Sequence, residues 1–434
     1  MIRKEIFGGI IRMAALVMIM SMLAGACSKN NGPEKPEDNT GQTTGPGGNG
    51  SGDQGGSGDQ GNSGNEGGSG DEGGNEGGTS GGDHGGSGDS GDQGGSGDSG
   101  SGGSGDQGDQ PKPQITANSW MTAIDDDTKI AMLTIPGTHD AATSTCAGPG
   151  KCQTLTISGQ LEHGVRAFDL RPTMDDNSTL GNIYHSILDT DVSMGDAMEY
   201  FDSFLKAHPG EGIIVIMRYE SERQILGSIA EDNYKTAMKN FLWDSQIYQA
   251  RMAAFNKSMT MKDLRGKILI ISRNDLSPVS TFETAYTQWS HSNSVGEALQ
   301  IYGTGGPGRI YVQDMYSAEK NGNSSEADFL AKKKELVCKL LDITVPFREY
   351  EQNNWVINYC SGYAGSSFAS DSYAKNAAST NPAALEHIQA HTGKGFTGIV
   401  MMDYAGTDTY EVGGSTFSVS GKSLTEALIM NNFQ

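Results

Sequence analysis

Cysteine is scarce in this 434-residue chain, which contains only five. No Cys-x-x-Cys pair and no cluster of cysteine with histidine occurs, and this argues against a zinc finger or zinc ribbon. Cys146 and Cys152 flank a turn-rich segment and leave two outcomes open, a small disulfide loop or two free thiols. Cys338 lies in a helical pattern and Cys360 in a strand pattern, so we expect both to be small buried residues.

Basic residues are also few, with 31 Lys and Arg against 53 Asp and Glu and a formal charge of −22. Residues 41–110 contain 32 glycines and 12 acidic residues but no Lys or Arg, and residues 111–434 carry a charge of −11. Nucleic-acid binding needs clustered Lys and Arg against phosphates, so we expect no nucleic-acid partner. The same balance argues against simple electrostatic adsorption to anionic lipid.

Long hydrophobic runs are missing after the N-terminus, where none reaches the ~18 residues that a spanning helix needs. The first 26 residues combine basic residues, the apolar run Met13–Leu23 and the small residues Ala24–Ala26. This pattern predicts a signal peptide. The position of Cys27 resembles a bacterial lipoprotein signal, although Leu23 lies four residues before the cysteine instead of the usual three. We expect lipidation of Cys27; the alternative is a cleaved secretory peptide with an incidental cysteine.

Residues 27–112 are expected to form a lipid-anchored, disordered linker. Gly and Ser repeats with Asp, Gln and Asn cannot bury enough apolar area to fold. About 70 such residues give a root-mean-square span of about 45–50 Å. The alternative is a plain secretion spacer whose length has no function.

Residues 113–434 alternate short β-rich runs with longer amphipathic stretches. The β-rich runs are nearly continuous in apolar residues, as expected of strands buried on both faces. They are Ala131–Ile135, Val165–Leu170, Asn182–His185, Gly212–Met217, Lys267–Ser272, Arg309–Gln313, Trp355–Tyr359 and Gly398–Met402. Helical stretches between them include Met194–Ala207, Asn233–Trp243, Ala327–Leu341 and Ala383–His391. Eight such runs predict an α/β fold, a distorted (β/α)8-type TIM barrel, with a doubly wound open sheet as the alternative.

Polar side chains follow the ends of seven of these eight runs. Because the carboxyl ends of parallel strands share one rim of a barrel, we expect these side chains to converge on one pocket. The residues are His139, Asp140, Arg171, His185, Arg218, Arg273, Asp314, Tyr316, Asp403 and Tyr404. Three of the other histidines, His291, His387 and His391, have no companions in this pattern, and we expect no site there.

Such a pocket suits proton transfer at a phosphate. Two histidines near neutral pKa fit a general base and a general acid that work in one step. Arginine beside them fits an anionic phosphate held by two hydrogen bonds. A carboxylate next to a histidine fixes its tautomer and stabilises the imidazolium. The combination predicts phosphodiester transfer to a neighbouring hydroxyl, and we expect no metal ligands and no cofactor in this pocket.

These residues resemble the bacterial phosphatidylinositol-specific phospholipase C family, which carries an X domain. The resemblance covers about residues 118–434 and rests on ordered motifs. They are Trp120-Met121, Leu133-Thr-Ile-Pro-Gly-Thr-His-Asp140, Gln160-Leu-Glu-His-Gly-Val-Arg-Ala-Phe-Asp-Leu-Arg171, Tyr184-His185, His208-Pro-Gly-Glu-Gly-Ile-Ile-Val-Ile-Met-Arg218, Gly266-Lys-Ile-Leu-Ile-Ile-Ser-Arg273, Val312-Gln-Asp-Met-Tyr316 and Met402-Asp-Tyr404. The resemblance implies a TIM barrel that cleaves phosphatidylinositol to diacylglycerol and inositol 1,2-cyclic phosphate.

The resemblance also implies roles for individual residues. His139 would be the general base and Asp403 would orient it. His185 would be the general acid, assisted by Asp140, and Arg171 would hold the phosphate. The side chains expected to surround the inositol are Arg218, Arg273, Asp314 and Tyr316. The family usually has Lys at the position of Arg218, which keeps the charge but changes its geometry.

Arg171 separates two subclasses of the family. Calcium-dependent relatives have a carboxylate at this position and Asn at the position of Asp140. An arginine cannot ligate Ca²⁺ and its charge repels the ion, so the resemblance implies a metal-independent reaction. Secreted relatives expose tryptophans to lipid, whereas the loop 361–373 here offers only Tyr363, Phe368 and Tyr373.

Several further expectations concern partners and location. The lipid substrate would be phosphatidylinositol or a glycosyl-phosphatidylinositol anchor, and the lipid anchor at Cys27 would supply contact with a membrane. We expect a monomer in the bacterial cell envelope, at the outer membrane, facing the periplasm or the cell surface. Two alternatives remain: a non-catalytic inositol- or glycan-binding lipoprotein of the same fold, and a glycerophosphodiesterase, whose barrels usually bind metal through carboxylate clusters.

Overall fold

The computed structural model describes residues 115–434 except for 176, 221–230, 278–283, 290–294, 296–297, 318–324, 348–350, 368 and 394–395. The signal peptide predicted for residues 1–26, the lipidation site Cys27 and the linker predicted for 27–112 lie outside the described residues. No helix among the described residues is both long and apolar enough to span a bilayer.

Fourteen strands occur in the described part of the chain, and nine of them form one sheet. They are β1 Thr134–Thr138, β2 Ala167–Leu170, β3 Pro172–Met174, β4 Leu180–His185, β5 Leu188–Ser193, β6 Ile213–Met217, β7 Ile268–Ser272, β8 Ala285–Tyr286, β9 Ala298–Ile301, β10 Gly308–Gln313, β11 Asn354–Tyr359, β12 Gly398–Met402, β13 Thr409–Val412 and β14 Ser415–Ser418.

The nine-stranded sheet has the order β8-β7-β6-β2-β1-β12-β11-β10-β9. Its first eight strands pair in parallel, and β9 pairs antiparallel with β10. Two backbone hydrogen bonds between Tyr286 and Tyr302, of 3.0 and 2.9 Å, join the two edges of the sheet. The sheet therefore closes into a barrel, which confirms the predicted distorted (β/α)8-type fold.

Eight α-helices are described in the chain, and most lie between barrel strands. They are α1 Ile157–Glu162, α2 Met194–Ala207, α3 Glu231–Asp244, α4 Gln246–Arg251, α5 Met261–Leu264, α6 Glu326–Thr344, α7 Ser372–Ala390 and α8 Gly421–Met430. The bounds of α2 are those predicted, because Ser193 and Asp196 form a capping box at its first turn. Helix α7 starts at Ser372, well before the predicted Ala383. Proline is typical of the first turn of a helix, but Pro382 lies inside this one.

The strand prediction is wrong in three respects. Asn182–His185 belongs to β4, which pairs antiparallel with β3 and β5 in a separate three-stranded sheet and is not a barrel strand. Asn182 on this strand is exposed, unlike residues of the barrel strands that are buried on both faces. Two strands of the sheet were not predicted: the antiparallel β9 and the parallel β8, whose two residues are too few to produce a pattern in the sequence. The first barrel strand runs over Thr134–Thr138, after a 3₁₀ turn at Ile130–Met132, and does not start at Ala131.

Alternate residues of the barrel strands fill two separate cores. On β6, Ile214 and Ile216 lie in a cluster with apolar residues of the other barrel strands. Ile213, Val215 and Met217 of the same strand pack instead with residues of the surrounding helices. This two-sided burial holds the strand ends in place around the rim that carries the polar residues.

The disulfide alternative for Cys146 and Cys152 is not realised. Both residues are buried free thiols, as is Cys360, while Cys338 is a half-buried free thiol. Burial raises the pKa of Cys146 to about 11. These cysteines therefore act as small packing residues.

Candidate active site

The carboxyl ends of the barrel strands carry the predicted polar residues. His139 and Asp140 follow β1 directly, and Asp403 follows the neighbouring strand β12. The backbone of His139 donates to the carbonyl of Met402, which continues the β1–β12 ladder into the site. Asp140 has a φ of 43°, a left-handed conformation that aspartate adopts more easily than most residues.

His139 lies between two carboxylates and is buried. Its Nδ1 is 2.8 Å from Oδ1 of Asp403, and its Nε2 is 3.1 Å from Oδ2 of Asp140. Burial, and then the positive charge of Arg171, lowers the pKa of His139 well below its usual value. The imidazole is therefore neutral at neutral pH. Donation from Nδ1 to Asp403 leaves the lone pair on Nε2, which is the arrangement of a general base.

Asp403 is fully buried beneath this histidine. Burial, reinforced by the charge of Asp140, raises the pKa of Asp403, and the positive charges of Lys333 and Arg171 oppose that rise. Asn381 donates to the backbone carbonyl of Asp403 at 3.1 Å and holds this turn.

His185 is the second histidine in contact with the carboxylate of Asp140. Its Nδ1 is 3.0 Å from the backbone carbonyl of Gly150, which can only accept, so Nδ1 carries a proton. Its Nε2 is 3.0 Å from the hydroxyl of Tyr373 and 3.4 Å from Oδ2 of Asp140. The ring centroids of His139 and His185 are 6.5 Å apart. Thus β4 lies outside the barrel and still delivers the second predicted histidine to the site.

Arg171 completes this group. Its Nε is 3.0 Å from Oδ1 of Asp140, and its Nη2 donates to Oδ2 of Asp169 at 2.9 Å. Burial raises the pKa of Asp140, while the neighbouring Arg171 opposes that rise. The structure therefore brings together all five residues predicted to be catalytic, listed as His139, Asp140, Arg171, His185 and Asp403.

A second polar cluster lies nearby on the same rim. Nη2 of Arg273 is 3.1 Å from Oδ2 of Asp314, and the indole of Trp289 donates to the same oxygen at 2.9 Å. The guanidinium of Arg273 also lies 4.2 Å from the centre of the Trp289 ring, a cation–π contact. The ring of Tyr359 is 6.3 Å from His139 and 6.4 Å from Trp289, so it separates the two clusters.

The other two predicted binding residues lie close to these clusters. Arg218 is half-buried after β6, and its charge acts to lower the pKa of Asp140. Tyr316 lies after β10, its ring centroid 6.3 Å from that of Tyr363. All four residues predicted to surround the inositol are therefore on the rim, although only Arg273 and Asp314 form a direct ion pair.

Tyr373, one of the aromatic residues that the loop 361–373 offers for contact with lipid, does not face lipid. The side chain is buried at the start of α7, and its ring centroid lies 5.4 Å from that of His185 and 6.5 Å from that of His139. Burial raises its pKa, so the phenol keeps its proton. No sequence signal marked this contact, because it joins residues 188 positions apart.

Lys333 is a second residue that the sequence reading missed. It is fully buried on α6 and donates to Oε1 of Gln313 at 3.1 Å. Burial lowers the pKa of Lys333 to about 8, and the charge of Asp314 opposes this. The sequence held a signal for it, since Lys333 lies on the apolar stripe of α6 between Phe329 and Leu336.

One group in this site could in principle ligate a metal. Ligand atoms of His139, Asp140 and Cys152 lie within 4.8 Å of one another. The thiol of Cys152 is buried, which raises its pKa, and Arg171 adds a positive charge beside Asp140. Both features disfavour a cation, so the residues present fit a metal poorly.

The fold and the site together define an α/β-barrel protein with a paired-imidazole site at the carboxyl ends of its strands. Residues 135–274 match the family model described as "Phosphatidylinositol-specific phospholipase C, X domain". This match bears out the predicted resemblance to the phosphatidylinositol-specific phospholipase C family over residues 135–274.

Curated relatives agree with this assignment. The chain is 36% identical over 170 residues to a 1-phosphatidylinositol phosphodiesterase of Listeria monocytogenes, a match covering 38% of this chain and 51% of that protein. It is 25% identical over 299 residues to the Staphylococcus aureus (strain Newman) protein of the same name, covering 66% of this chain and 88% of the relative. The chain thus spans about half the length of the first relative and most of the second.

Solved structures support the fold. A mutant of the phosphatidylinositol-specific phospholipase C from Staphylococcus aureus superposes with a TM-score of 0.57 at 23% identity, covering 74% of this chain and 97% of that structure. A second structure of the same Staphylococcus aureus enzyme, with an incorporated pentafluoro-phenylalanine, gives a TM-score of 0.57 and covers 98% of that chain. At this identity the similarity bears on the fold alone.

Proposed function

We propose that this protein cleaves phosphatidylinositol by moving the phosphoryl group to the 2-hydroxyl of the inositol. The products are diacylglycerol and inositol 1,2-cyclic phosphate. The observation that carries the proposal is the pair of imidazoles whose Nε2 atoms both lie next to Oδ2 of Asp140, each with a different partner at Nδ1. A binding protein would need neither the two histidines nor their separate partners. The names of the curated relatives support the same reaction.

His139 acts as the general base in the first half of the reaction. Nε2 of this histidine takes the proton of the 2-hydroxyl while the hydroxyl oxygen attacks phosphorus. The lone pair is available because Asp403 accepts from Nδ1 and the pKa of His139 is low. Asp140 lies 3.1 Å from Nε2 without hydrogen-bond geometry, so the substrate hydroxyl can replace this contact. Asp403 stabilises the imidazolium that forms.

The second half belongs to His185. The bond between phosphorus and the glycerol oxygen breaks, and this oxygen takes a proton from Nε2 of His185. Gly150 fixes the other ring nitrogen as a donor, so Nε2 is the nitrogen that exchanges the proton. Asp140 and Tyr373 hold that nitrogen facing the site. Hydrolysis of the cyclic product would follow slowly with the two histidines in exchanged roles.

Charge stabilisation belongs to Arg171. Its guanidinium is held by Asp140 and Asp169 and would meet the phosphate oxygens at the rim. A preorganised cation in a largely buried site is worth far more than one in water. It supplies the charge that a metal supplies in calcium-dependent enzymes, so we propose a metal-independent reaction. Arg273, Asp314, Arg218 and Tyr316 would surround the inositol.

A direct assay tests these proposals. Full-length protein, phosphatidylinositol in detergent micelles and excess chelator should yield the cyclic phosphate, followed by ³¹P NMR. His139→Ala and His185→Ala should each reduce kcat by about 10²–10⁴-fold. Binding of inositol phosphate without turnover would instead support the non-catalytic alternative. Turnover that is lost in chelator and rescued only by calcium would contradict metal independence.

We also propose that the protein is a lipoprotein of the bacterial cell envelope, anchored through Cys27. The support is the export signal and the small residues before this cysteine. Intact-mass spectrometry of membrane fractions should find lipid on Cys27; an unmodified Cys27 in a secreted protein would contradict the anchor. Release of glycosyl-phosphatidylinositol-anchored proteins from cell surfaces would test the second lipid substrate.

A further inference from the structure

Two long helices, α6 and α7, pack side by side around the barrel. Each precedes the next barrel strand, so their C-terminal ends lie at the end of the barrel where strands begin. The proposed catalytic residues follow the ends of strands and lie at the opposite rim. Asp342 in the last turn of α6, with His387 and His391 at the end of α7, therefore forms a group separate from that site.

The side chains of these three residues converge. Nε2 of His387 is 2.7 Å from Oδ1 of Asp342, and the rings of His387 and His391 stack with centroids 4.2 Å apart. One ligand atom from each of the three residues lies within 4.8 Å of the other two. His387 and His391 are four positions apart, the spacing that places two imidazoles on one helix face for a shared metal ion.

The backbone prepares His391 for ligation. Its Nδ1 is 2.8 Å from the carbonyl oxygen of His387, and this oxygen can only accept. The proton therefore lies on Nδ1 and the lone pair on Nε2. Metal-binding histidines generally donate their second ring nitrogen to a carbonyl or carboxylate in this way.

The electrostatic setting favours a cation. The C-terminal end of a helix carries partial negative charge, and two such ends meet at this group. Glu386 lines the same surface groove as the two histidines, together with Lys334 and with Glu335, whose carboxylate is already paired with Lys332 and Lys339. Asp342 is 64% exposed on its side chain, so an ion can enter from solvent.

We propose that Asp342, His387 and His391 form a binding site for a divalent transition metal ion of the Zn²⁺ class. Two imidazole nitrogens and one carboxylate oxygen are typical zinc ligands, and water would complete a tetrahedral shell. Ca²⁺ and Mg²⁺ prefer oxygen ligands alone, so they should bind weakly. A tetrahedral ion separates its ligand atoms by about 3.3–3.5 Å, so the carboxylate and His387 would part slightly to admit it.

The bound ion would link the C-terminal ends of α6 and α7. An ion that binds only the folded protein raises its stability in proportion to the logarithm of its concentration over Kd. The site corrects the expectation that His387 and His391 have no companions: Asp342 is 45 residues from His387 in sequence.

The test is a metal titration of the full-length chain. Zn²⁺ at about 100 times its Kd should raise Tm by on the order of 5 °C, whereas Mg²⁺ and Ca²⁺ at the same concentration should not. His391→Gln should weaken Zn²⁺ binding in calorimetry by about 100-fold or more, because a ligand is lost. His163→Gln is the matched control: this exposed histidine also donates to a carbonyl four residues earlier, and its loss should change nothing.

The outcomes are decisive in either direction. Binding lost in His391→Gln and kept in His163→Gln supports the site. Equal Zn²⁺ binding in His391→Gln and in the unchanged protein overturns it, and loss in Cys152→Ser would then place the ion beside His139. No Tm rise with Zn²⁺ also overturns it. Asp342→Asn is a second ligand variant that should also weaken Zn²⁺ binding. Because the Asp342 side chain is exposed, its substitution should leave the core intact, so the loss of binding cannot come from a folding defect.

Discussion

Asp403→Asn should nearly abolish turnover although it changes only one atom. The carboxylate of Asp403 lies 2.8 Å from Nδ1 of His139, and both groups are buried, so water cannot replace the lost contact. An amide whose nitrogen faces Nδ1 would force the proton onto Nε2, and His139 would lose the lone pair that accepts the substrate proton. Loss of the correct tautomer in a comparable histidine–aspartate pair lowers kcat by about 10⁴-fold.

The size of the loss in kcat distinguishes two roles of Asp403. If it fixes the tautomer, kcat should fall by about 10³–10⁴-fold, or about 4–5.5 kcal/mol, with little change in KM. If it contributes only one charge-assisted hydrogen bond, the loss should be about 1.5–3 kcal/mol, or about 10–150-fold. The assay is ³¹P NMR of phosphatidylinositol cleavage over a range of substrate concentrations. A kcat within tenfold of the unchanged protein would refute the proposed base.

The control is Asp202→Asn. Asp202 is also largely buried and also pairs with cations, 2.9 Å from Arg251 and 2.6 Å from Lys206, but it lies on α2 away from the rim. This substitution should lower stability modestly and leave kcat unchanged. A large loss of kcat in both variants would point to a general folding defect.

Three further predictions concern the acid, the pH dependence and the fold. Tyr373→Phe should lower kcat on phosphatidylinositol by about 5–150-fold but have little effect on an inositol phosphate with a nitrophenolate leaving group, which needs no proton from His185. Because the pKa of His139 is low, activity should persist below pH 6.5 and fall only at lower pH; Lys333→Gln should move this acidic limb of kcat/KM upward, since the lysine charge helps lower that pKa. Glu211→Ala should cost about 3–5 kcal/mol in urea unfolding by leaving a buried arginine unpaired.

Each of these has a matched control. Tyr234→Phe removes another buried hydroxyl outside the site and should not discriminate between leaving groups; equal losses for both substrates in Tyr373→Phe would contradict a role through His185. An unchanged or downward-shifted acidic limb in Lys333→Gln would contradict the electrostatic argument. The control for Glu211→Ala is Asp126→Ala, which breaks an ion pair whose carboxylate is 59% exposed. It should lower the free energy of unfolding by less than about 1 kcal/mol, as surface pairs do.

Local pattern was enough to predict the proposed catalytic residues. His139, Asp140, Arg171 and Asp403 each follow an apolar run, and parallel strand ends share a rim, so their convergence followed from chain topology alone. The position of His185 beside Asp140 was predicted for a partly wrong reason. Its strand is antiparallel and lies outside the barrel, yet its position directly after the β2–β3 segment still brings it to Asp140.

The amino-acid sequence by itself determined the barrel and its polar rim, because hydrophobic periodicity and strand-end position are properties of short segments. Only the tertiary structure decided which side chains from distant segments meet. Tyr373 reaches His185, Trp289 reaches Asp314, and Asp342 reaches His387 through contacts that no local pattern encodes. Their partners are set by how helices and loops pack around the closed sheet, and that packing depends on the whole chain at once.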